Sequence, residues 1–350
     1  MVRDYSSFLP GAAPPPPDPL QALGWQAHFA QQLSVEDVQQ GTPLRIIRVD
    51  RAGLQLAGAD GEATLPPMAD VTVGDWLLVM DDAPPRLLDR KSLIRRMAAG
   101  RDRYVQLIAA NIDTSFIVTS CNADFNVARL ERYLALVFDA GSDPVIVLTK
   151  PDLADPAPFV AEAQAISASV PVLAVNARST EVTGQLAPWC KPGRTVAFLG
   201  SSGVGKSTLV NALSGAEAVA TGAIRENDAK GRHTTTRREL YVVPAGFAVL
   251  DTPGMRELQL TDVASGIEEV FADLSDLARE CKFSDCAHET EPGCAVRAAL
   301  ASGSIEPARL ERWKKLAAED AHNSADLAMS RRKAKALSKL VKSAVKTKRR

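Results

Sequence analysis

Short apolar segments that each end in polar or turn-forming residues dominate the middle of the chain. Four of them, residues 144–148, 170–175, 194–199 and 247–250, have the length and near-continuous apolar character of buried strands. After the third, residues 208–213 continue in a helical pattern. This alternation predicts an α/β domain, and in such domains the ends of the strands carry the ligand contacts.

A different pattern occupies residues 40–97. Short segments with alternating polar and apolar positions are separated by turn residues, at 43–49, 53–56, 63–65 and 73–79. Strands of this length and spacing predict a small antiparallel barrel of the OB type. OB-folds often bind RNA, although the fold alone does not establish a function. The basic run at residues 90–96, followed by Arg101 and Arg103, either contacts phosphate or forms a solvated linker.

The charge of the chain is distributed unevenly. Residues 331–350 hold ten Lys and Arg and no acidic residue, so the rest of the chain carries 31 basic against 42 acidic residues. Apolar positions recur there at helical spacing, at Leu337, Leu340, Val341, Ala344 and Val345. This basic amphipathic helix favours a polyanion such as RNA over a membrane, because it has no aromatic anchor. A disordered, solubilising tail is the alternative.

The N-terminal residues indicate neither export nor membrane insertion. Residues 1–34 lack the apolar core of a signal peptide, and no stretch of eighteen apolar residues occurs in the chain. The proline run at 14–17 predicts an extended spacer, with a ligand for a Pro-binding partner as the alternative. We therefore expect a cytoplasmic protein without membrane contact.

A complete phosphate-loop motif, G-x-x-x-x-G-K-[ST], follows the third central strand. Its residues are Gly200, Ser201, Ser202, Gly203, Val204, Gly205, Lys206 and Ser207, and Thr208 continues into the helix. Such a loop turns its backbone N–H groups toward phosphate oxygens, while the lysine reaches the β- and γ-phosphates and the Ser207 hydroxyl ligates Mg²⁺. The strand–loop–helix context predicts a nucleoside triphosphate site.

The segment Thr149-Lys150-Pro151-Asp152 predicts that the base is guanine. The Asp152 carboxylate can accept hydrogen bonds from N1–H and the exocyclic amine of guanine, donors that adenine does not offer there. Lys150 can lie across the base plane. Asn176-Ala177 ends the second strand, where a backbone N–H can contact the guanine oxygen. The alternative is a P-loop kinase or ATPase. Asp152 argues against it, because this acceptor suits guanine and not adenine.

A third nucleotide element follows the last central strand. Asp251-Thr252-Pro253-Gly254 places a carboxylate suited to Mg²⁺ and a Gly254 N–H suited to the γ-phosphate. In ordinary GTPases the guanine segments come after this element, whereas here they precede the phosphate loop. The sequence therefore predicts a circularly permuted domain, which packing permits because chain termini usually lie close together.

Three of the five cysteines cluster with a histidine. The spacing C-x4-C-x-H-x5-C at Cys281, Cys286, His288 and Cys294 supplies four ligands, enough for a closed tetrahedral zinc site. We predict one structural Zn²⁺ here, whose removal unfolds residues 275–305 and spares the GTPase core. Unrelated buried cysteines are the alternative.

Together these motifs resemble the circularly permuted, ribosome-small-subunit-dependent GTPases of the RsgA type. The resemblance covers residues 40–300 and rests on the T-K-P-D segment, the phosphate loop, G-R-H-T-T-T at 231–236, D-T-P-G-M-R-E at 251–257 and the cysteine cluster. It implies GTP hydrolysis that the small ribosomal subunit stimulates during its late maturation.

The water-orienting residue is not the glutamine found in many GTPases, because Met255 stands at that position. We predict that His233 orients the water and that Thr235 completes the Mg²⁺ shell with Ser207 and Asp251. Lys206 joins His233 and Thr235 as the predicted catalytic set. His233 is alternatively an exposed loop residue or a contact to rRNA.

We thus predict five regions: a Pro-rich leader with a short helix (1–38), an OB-type barrel (39–100), the permuted GTPase domain (104–270), a zinc module (271–305) and a basic helical tail (306–350). The expected protein is a monomeric GTPase with Mg²⁺-GTP and one Zn²⁺. Its expected partners are the small subunit, its rRNA and other assembly factors. An RNA chaperone whose nucleotide only tunes affinity is the second hypothesis.

Overall fold

The computed structural model describes residues 18–97, 104–220, 238–251 and 260–325, with backbone alone for 215–220 and 251. Several predicted features lie outside these ranges. They include the proline run, Arg101 and Arg103, the basic segment 331–350, and the site residues His233, Thr235 and Gly254.

Three short helices and five antiparallel strands form the N-terminal region. The helices are α1 (Pro19–Ala22), α2 (Ala27–Ala30) and α3 (Val35–Gln40); the strands are β1 (Thr42–Asp50), β2 (Gly53–Gly58), β3 (Gly61–Leu65), β4 (Trp76–Met80) and β5 (Ala83–Leu87). β1 pairs with both β2 and β4, β2 with β3, and β4 with β5. Leu44, Ile46, Leu54, Leu56 and Leu77 alternate inward to form its core. The antiparallel sheet agrees with the predicted strand pattern, and its closure into an OB barrel stays a prediction.

A two-stranded hairpin leads from this sheet to the central domain. It consists of β6 (Leu93–Met97) and β7 (Val105–Ala110). The basic run at 90–96 is thus largely strand rather than a solvated linker. Arg90 pairs with Asp75 at 2.7 Å, Lys91 with Asp113, and Arg95 with Asp139 at 3.5 Å.

The central domain is a mainly parallel sheet with helices. Its strands are β8 (Thr114–Ser120), β9 (Asp143–Thr149), β10 (Val172–Val175), β11 (Thr195–Leu199), β12 (Glu239–Val242) and β13 (Ala248–Asp251); its helices are α4 (Val127–Asp139), α5 (Ala157–Gln164), α6 (Val182–Leu186) and α7 (Lys206–Ala220). The order β10-β9-β8-β11-β13-β12 is parallel except for β12. β12 also bridges to β1, so one sheet runs into the N-terminal region.

A buried arginine joins the N-terminal region to the central domain. Arg45 on β1 is fully buried, and it donates to the carbonyl of Asn111 at 3.0 Å and to the Thr195 hydroxyl at 2.7 Å. Burial lowers the pKa of Arg45 to about 10, against the opposing effect of Asp113 and Asp75. Because Thr195 begins the strand that leads to the phosphate loop, the two regions are held together beneath the nucleotide site.

The C-terminal region packs against helix α4. It contains α8 (Ala264–Val270), α9 (Ala272–Arg279), α10 (Ala295–Ser302) and a helix over residues 307–325, here α11. A Cβ on Gly266 of α8 would lie 1.9 Å from the carbonyl oxygen of Ala135, so only glycine allows this approach. The buried Glu131 accepts from Arg312 of α11 at 2.8 Å. Burial raises the pKa of Glu131, outweighing the opposing effect of its arginine partners.

Candidate nucleotide site and metal centre

The nucleotide segments predicted from sequence meet at one edge of the sheet. β9, β10, β11 and β13 are parallel, so the residues that follow them emerge on the same side. Those residues begin at Lys150, Asn176, Gly200 and the end of β13. Ligands of open α/β sheets bind at this carboxyl edge.

The guanine-side segment contacts the phosphate loop directly. The buried Thr149 hydroxyl donates to the carbonyl of Val204, and the Lys150 Nζ donates to the carbonyl of Gly203 at 2.7 Å. Lys150 has φ of +56°, a left-handed conformation unusual for a residue with a side chain. Asp152 is exposed two residues further on. The two segments therefore form one continuous surface, although about fifty residues separate them.

The phosphate loop depends on its glycines. Gly200 has φ of +142°, and a Cβ there would lie 2.2 Å from the carbonyl oxygen of Val118. Gly203 and Gly205 have φ of +77° and +102°. Lys206 begins α7 and donates from its Nζ to the carbonyl of Gly200 at 2.9 Å and to that of Ser201. The ammonium therefore lies over its own loop.

Other predicted ligands surround the loop. Ser207 and Thr208 are exposed on the first turn of α7. The Asn176 side chain accepts from the Arg178 N–H at 3.0 Å, which makes a local turn, and Ala177 is half-buried. β13 pairs with the phosphate-loop strand through Leu250 and Ala197, so Asp251 follows two residues short of the level at which the loop begins. The roles predicted for these residues toward base and Mg²⁺ stay predictions.

The four predicted zinc ligands converge. The ligand atoms of Cys281, Cys286, His288 and Cys294 all lie within 4.8 Å of one another. The Cys281 and Cys294 sulfurs are 3.8 Å apart, and His288 Nδ1 is 3.6 Å and 3.4 Å from them. A tetrahedral zinc ion with its usual bond lengths separates two sulfurs by about 3.8 Å and a sulfur from a nitrogen by about 3.6 Å. The donor set therefore fits a zinc ion.

Backbone groups support the cluster. The Cys294 sulfur caps α10 by accepting from the Arg297 N–H at 3.4 Å. Burial raises the pKa of Cys281, but hydrogen bonds from the N–H groups of Val296 and Ala295 bring it below its ordinary value. Helix N-termini stabilise thiolates in this way.

One supporting residue was not predicted from the sequence. The Glu291 carboxylate accepts from the N–H groups of Ala287 at 2.9 Å and Glu289 at 2.8 Å, on both sides of His288. These and its other backbone hydrogen bonds lower the pKa of Glu291 to about 2. Its place between two ligands was the only signal, because acidic residues are common in turns.

The sheet order, the phosphate loop and the guanine-side segment ahead of it define the class: a P-loop GTPase with permuted connectivity. A family model described as RsgA GTPase matches residues 87–261. A protein from Vibrio parahaemolyticus named small ribosomal subunit biogenesis GTPase RsgA 2 is 48% identical over 95% of this chain and 94% of its own. The chain belongs to the RsgA GTPase family.

Further comparisons agree with this assignment. A Mesorhizobium japonicum protein named small ribosomal subunit biogenesis GTPase RsgA is 50% identical over 87% of this chain and 91% of its own. The crystal structure of YjeQ from Thermotoga maritima has a TM-score of 0.58, with 24% identity and coverage of 79% of this chain and 97% of its own. That of YloQ, a circularly permuted GTPase, has a TM-score of 0.53, with 23% identity over 80% of this chain and 94% of its own. These two structures support the fold.

A second family model, described as ABC transporter, matches residues 185–339. That span includes the phosphate loop, a motif shared by ATPases and GTPases. In the part of the chain that the structure describes, no helix has the length and apolarity to cross a membrane.

Proposed function

We propose that this chain hydrolyses GTP in the late maturation of the small ribosomal subunit and couples hydrolysis to its own release or to that of another assembly factor. The observation that carries this proposal is the 48% identity, over nearly the full length of both chains, to a relative named for small-subunit biogenesis. The contact between Lys150 and Gly203 supports the nucleotide part, because it joins base and phosphate segments in one site.

In the proposed complex, Asp152 reads guanine through its carboxylate, and the N–H of Ala177 contacts the guanine oxygen. Asn176 and Thr149 hold these segments, while the backbone N–H groups of the phosphate loop surround the phosphates. Lys206 exchanges its carbonyl contacts at Gly200 and Ser201 for the β- and γ-phosphates. The exchange supplies a charged partner in place of neutral carbonyls, so binding favours it.

Three oxygen-bearing residues are proposed to hold Mg²⁺: Ser207, Thr235 and Asp251. Hydroxyl and carboxylate oxygens suit this hard cation, and Ser207 stands exposed at the start of α7. When bound, Mg²⁺ neutralises charge on the β- and γ-phosphate oxygens. We propose that His233 orients the attacking water, since Met255 offers no useful hydrogen bond, and that the Gly254 N–H contacts the γ-phosphate.

The cysteine cluster is proposed to hold one structural Zn²⁺ through Cys281, Cys286, His288 and Cys294. These four residues would fill every position of a tetrahedral ion and leave none open for a substrate or catalytic water. It would fix the loop between α9 and α10 against α11, where the His288 ring lies 5.6 Å from the ring of Trp313. We propose that this module, an OB-type barrel and the basic tail contact rRNA in the cytoplasm, and that the protein acts as a monomer.

A turnover experiment tests the proposal. Purified protein is given GTP with small subunits, large subunits or neither, across a salt series, and phosphate release is measured. We expect stimulation by small subunits alone. It should weaken with salt, because binding releases counterions and this release is less favourable at high salt. Equal rates in all three conditions would show that the small subunit is not the activating partner. Undetectable turnover with saturating small subunits would favour a nucleotide-tuned RNA chaperone instead.

A further inference from the structure

Helix α11 holds the backbone of residues 260–263 through three side chains. These are Asp320, Asn323 and Ser324, which we call the α11 anchor. Their spacing of three and four residues places them on one face of the helix. Asp320 and Asn323 are buried, and Ser324 is half-buried. The anchor therefore lies in the contact between α11 and the segment that leads into α8.

Each anchor residue makes one hydrogen bond to the backbone of residues 260–263. The bonded pairs are the Asn323 amide with the Leu260 carbonyl at 2.8 Å, the Ser324 hydroxyl with the Asp262 N–H at 3.0 Å, and the Asp320 carboxylate with the Val263 N–H at 3.1 Å. Buried backbone groups need such partners, and here a distant helix supplies them. The position of this segment is therefore tied to the position of α11.

Asp262 shows how closely the segment is held. Its φ is +54°, a left-handed conformation that is uncommon for a residue with a side chain. Its carbonyl accepts from the Arg95 Nη2 at 3.2 Å, while its N–H donates to Ser324. The hairpin and α11 thus bind Asp262 on its two sides. An unfavourable backbone conformation persists where surrounding contacts determine it in this way.

The Asp320 carboxylate is kept in an unfavourable place for a charge. Burial raises the pKa of Asp320, although the hydrogen bond from the Val263 N–H opposes this. The negative charges of Asp262, Asp139 and Glu319 raise the pKa further. An asparagine would accept the same hydrogen bond without a charge. The substitution Asp320→Asn can therefore separate the hydrogen bond from the charge.

The anchored segment shortly follows the predicted γ-phosphate contact in the chain. β13 ends at Asp251, and its pairing with β11 and β12 fixes that end. Gly254, whose N–H is proposed to contact the γ-phosphate, precedes Leu260 by six residues. The chain that carries Gly254 therefore starts at the central sheet and ends at the α11 anchor.

The anchor has a fixed support on the central domain. Arg312 of α11 pairs with the buried Glu131 of α4 at 2.8 Å, and Arg309 lies 3.6 Å from the same carboxylate. These arginines precede the anchor by two to three turns of the same helix. The basic segment 331–350, proposed to contact rRNA, begins seven residues after Ser324. The anchor thus stands between the proposed RNA contact and the proposed γ-phosphate contact.

We propose that the α11 anchor positions the segment that contacts the γ-phosphate, and that subunit-stimulated GTP hydrolysis depends on it. The anchor acts through the backbone of residues 260–263, so its members are positioning residues. A displacement of about 1 Å at a reacting group can lower a rate by ~100-fold. GDP has no γ-phosphate, so its binding does not depend on the anchor. The role of Gly254 rests on the proposed function, whereas the anchor rests on hydrogen bonds in the structure.

Turnover kinetics test the anchor. The double variant Asp320→Ala/Ser324→Ala removes the acceptors of two backbone N–H groups. We expect its kcat with saturating small subunits to fall roughly tenfold and its GDP affinity to stay within about twofold. Asp320→Asn keeps the acceptor and should retain the wild-type kcat. An unchanged kcat in the double variant, or a parallel loss of GDP affinity, would overturn the proposal.

A matched control lies on the same helix. Glu311→Ala removes an exposed acidic side chain from α11 and should leave kcat at the wild-type value. An equal fall of kcat in this control would show a general effect of charge on α11 and overturn the anchor. If the double variant does not fold, Ser324→Ala alone, at a half-buried position, should show the same pattern with a smaller fall of kcat.

Hydrogen exchange tests the anchor without ribosomal subunits. The wild-type amides of Asp262 and Val263 should exchange more slowly with a non-hydrolysable GTP analogue than with GDP, because a bound γ-phosphate restrains the adjoining chain. In the double variant the two nucleotides should give equal exchange. Equal exchange in the wild type would overturn the proposal. Wild-type turnover that small subunits do not stimulate would refute the proposed function, while the exchange experiment would still decide the anchor.

Discussion

The nucleotide site and the cysteine cluster differ in how far apart their residues lie along the chain. The four predicted zinc ligands fall between Cys281 and Cys294, and their donor atoms already stand within 4.8 Å of one another. The nucleotide residues extend from Thr149 to the end of β13, and packing of parallel strands brings them together. In a cluster that is local in sequence, metal binding offsets the conformational entropy lost when the loop is ordered. At a site formed by strand ends, packing of the sheet orders the segments.

Metal removal is expected to produce the largest difference between the two sites. Binding of a structural zinc contributes on the order of 10 kcal/mol. Chelation, or Cys286→Ala, should therefore release hydrogen-exchange protection from residues 275–305 and leave GTP affinity within about twofold, because strand packing holds the nucleotide loops. Cys190→Ser, outside the cluster, is the matched control and should keep the metal. A collapse of GTP affinity on chelation would show that the two sites are not independent.

Lys206→Met should have the next largest effect and the opposite pattern. Losing the ammonium removes a charged partner of the β- and γ-phosphates, so GTP affinity should fall about 100-fold, or roughly 3 kcal/mol. The melting temperature of the free protein should hardly change, since the Lys206 ammonium donates to two carbonyls of its own loop, those of Gly200 and Ser201. Titration calorimetry with GTP measures the change in affinity. Lys282→Met, at an exposed lysine beside the cluster, is the control that should bind GTP normally.

Asp152→Asn should change which base is bound. The amide offers a donor where guanine needs an acceptor, so we expect GTP affinity to fall about tenfold or more and xanthosine triphosphate affinity to rise. Competition between the two nucleotides measures the exchange. Asp155→Asn is the matched control, because Asp155 accepts from the Ala157 N–H at 3.0 Å and asparagine can still do so. If Asp152→Asn leaves the base preference unaltered, Asp152 does not recognise the base.

The same contrast explains what could be predicted from the sequence. The cysteine cluster and the phosphate loop were predictable because each motif is contiguous and its chemistry follows from residue type and spacing. The family assignment, made from the order of the motifs, was confirmed. The identities of Thr149, Lys150 and Asp152 were likewise evident, although their ligand roles stay predictions.

Contacts between distant segments were not predictable. Nothing local indicates that Lys150 adopts a left-handed conformation to reach Gly203, because that contact exists only once β9 and β11 flank β8. The buried Arg45 also resembles any other charge in an alternating strand until Asn111 and Thr195 surround it. The basic run at 90–96 looked uniform, yet its members make different contacts: Arg90 forms an ion pair with Asp75, and Arg96 donates to the Gln106 side-chain amide.

The hydroxyl of Thr149 offers the finest test of how the nucleotide site is assembled. It donates toward the carbonyls of Val204 and Thr119, and so connects the guanine-side segment to the phosphate loop and to β8. Thr149→Val keeps the shape and leaves these buried carbonyls without that donor. We expect the free energy of unfolding to fall by about 1 kcal/mol and GTP affinity to fall by roughly fivefold or less.

Thr183→Val provides the matched control for that substitution. Its hydroxyl is exposed and lies 3.5 Å from the carbonyl of Ala212, so its removal should change stability by less than about 0.5 kcal/mol. Denaturant unfolding and calorimetry on both variants separate the two cases. If Thr149→Val lowers stability but leaves GTP affinity at the wild-type value, the hydroxyl serves the sheet alone. The nucleotide loops would then take their positions from strand packing, without this side-chain bridge.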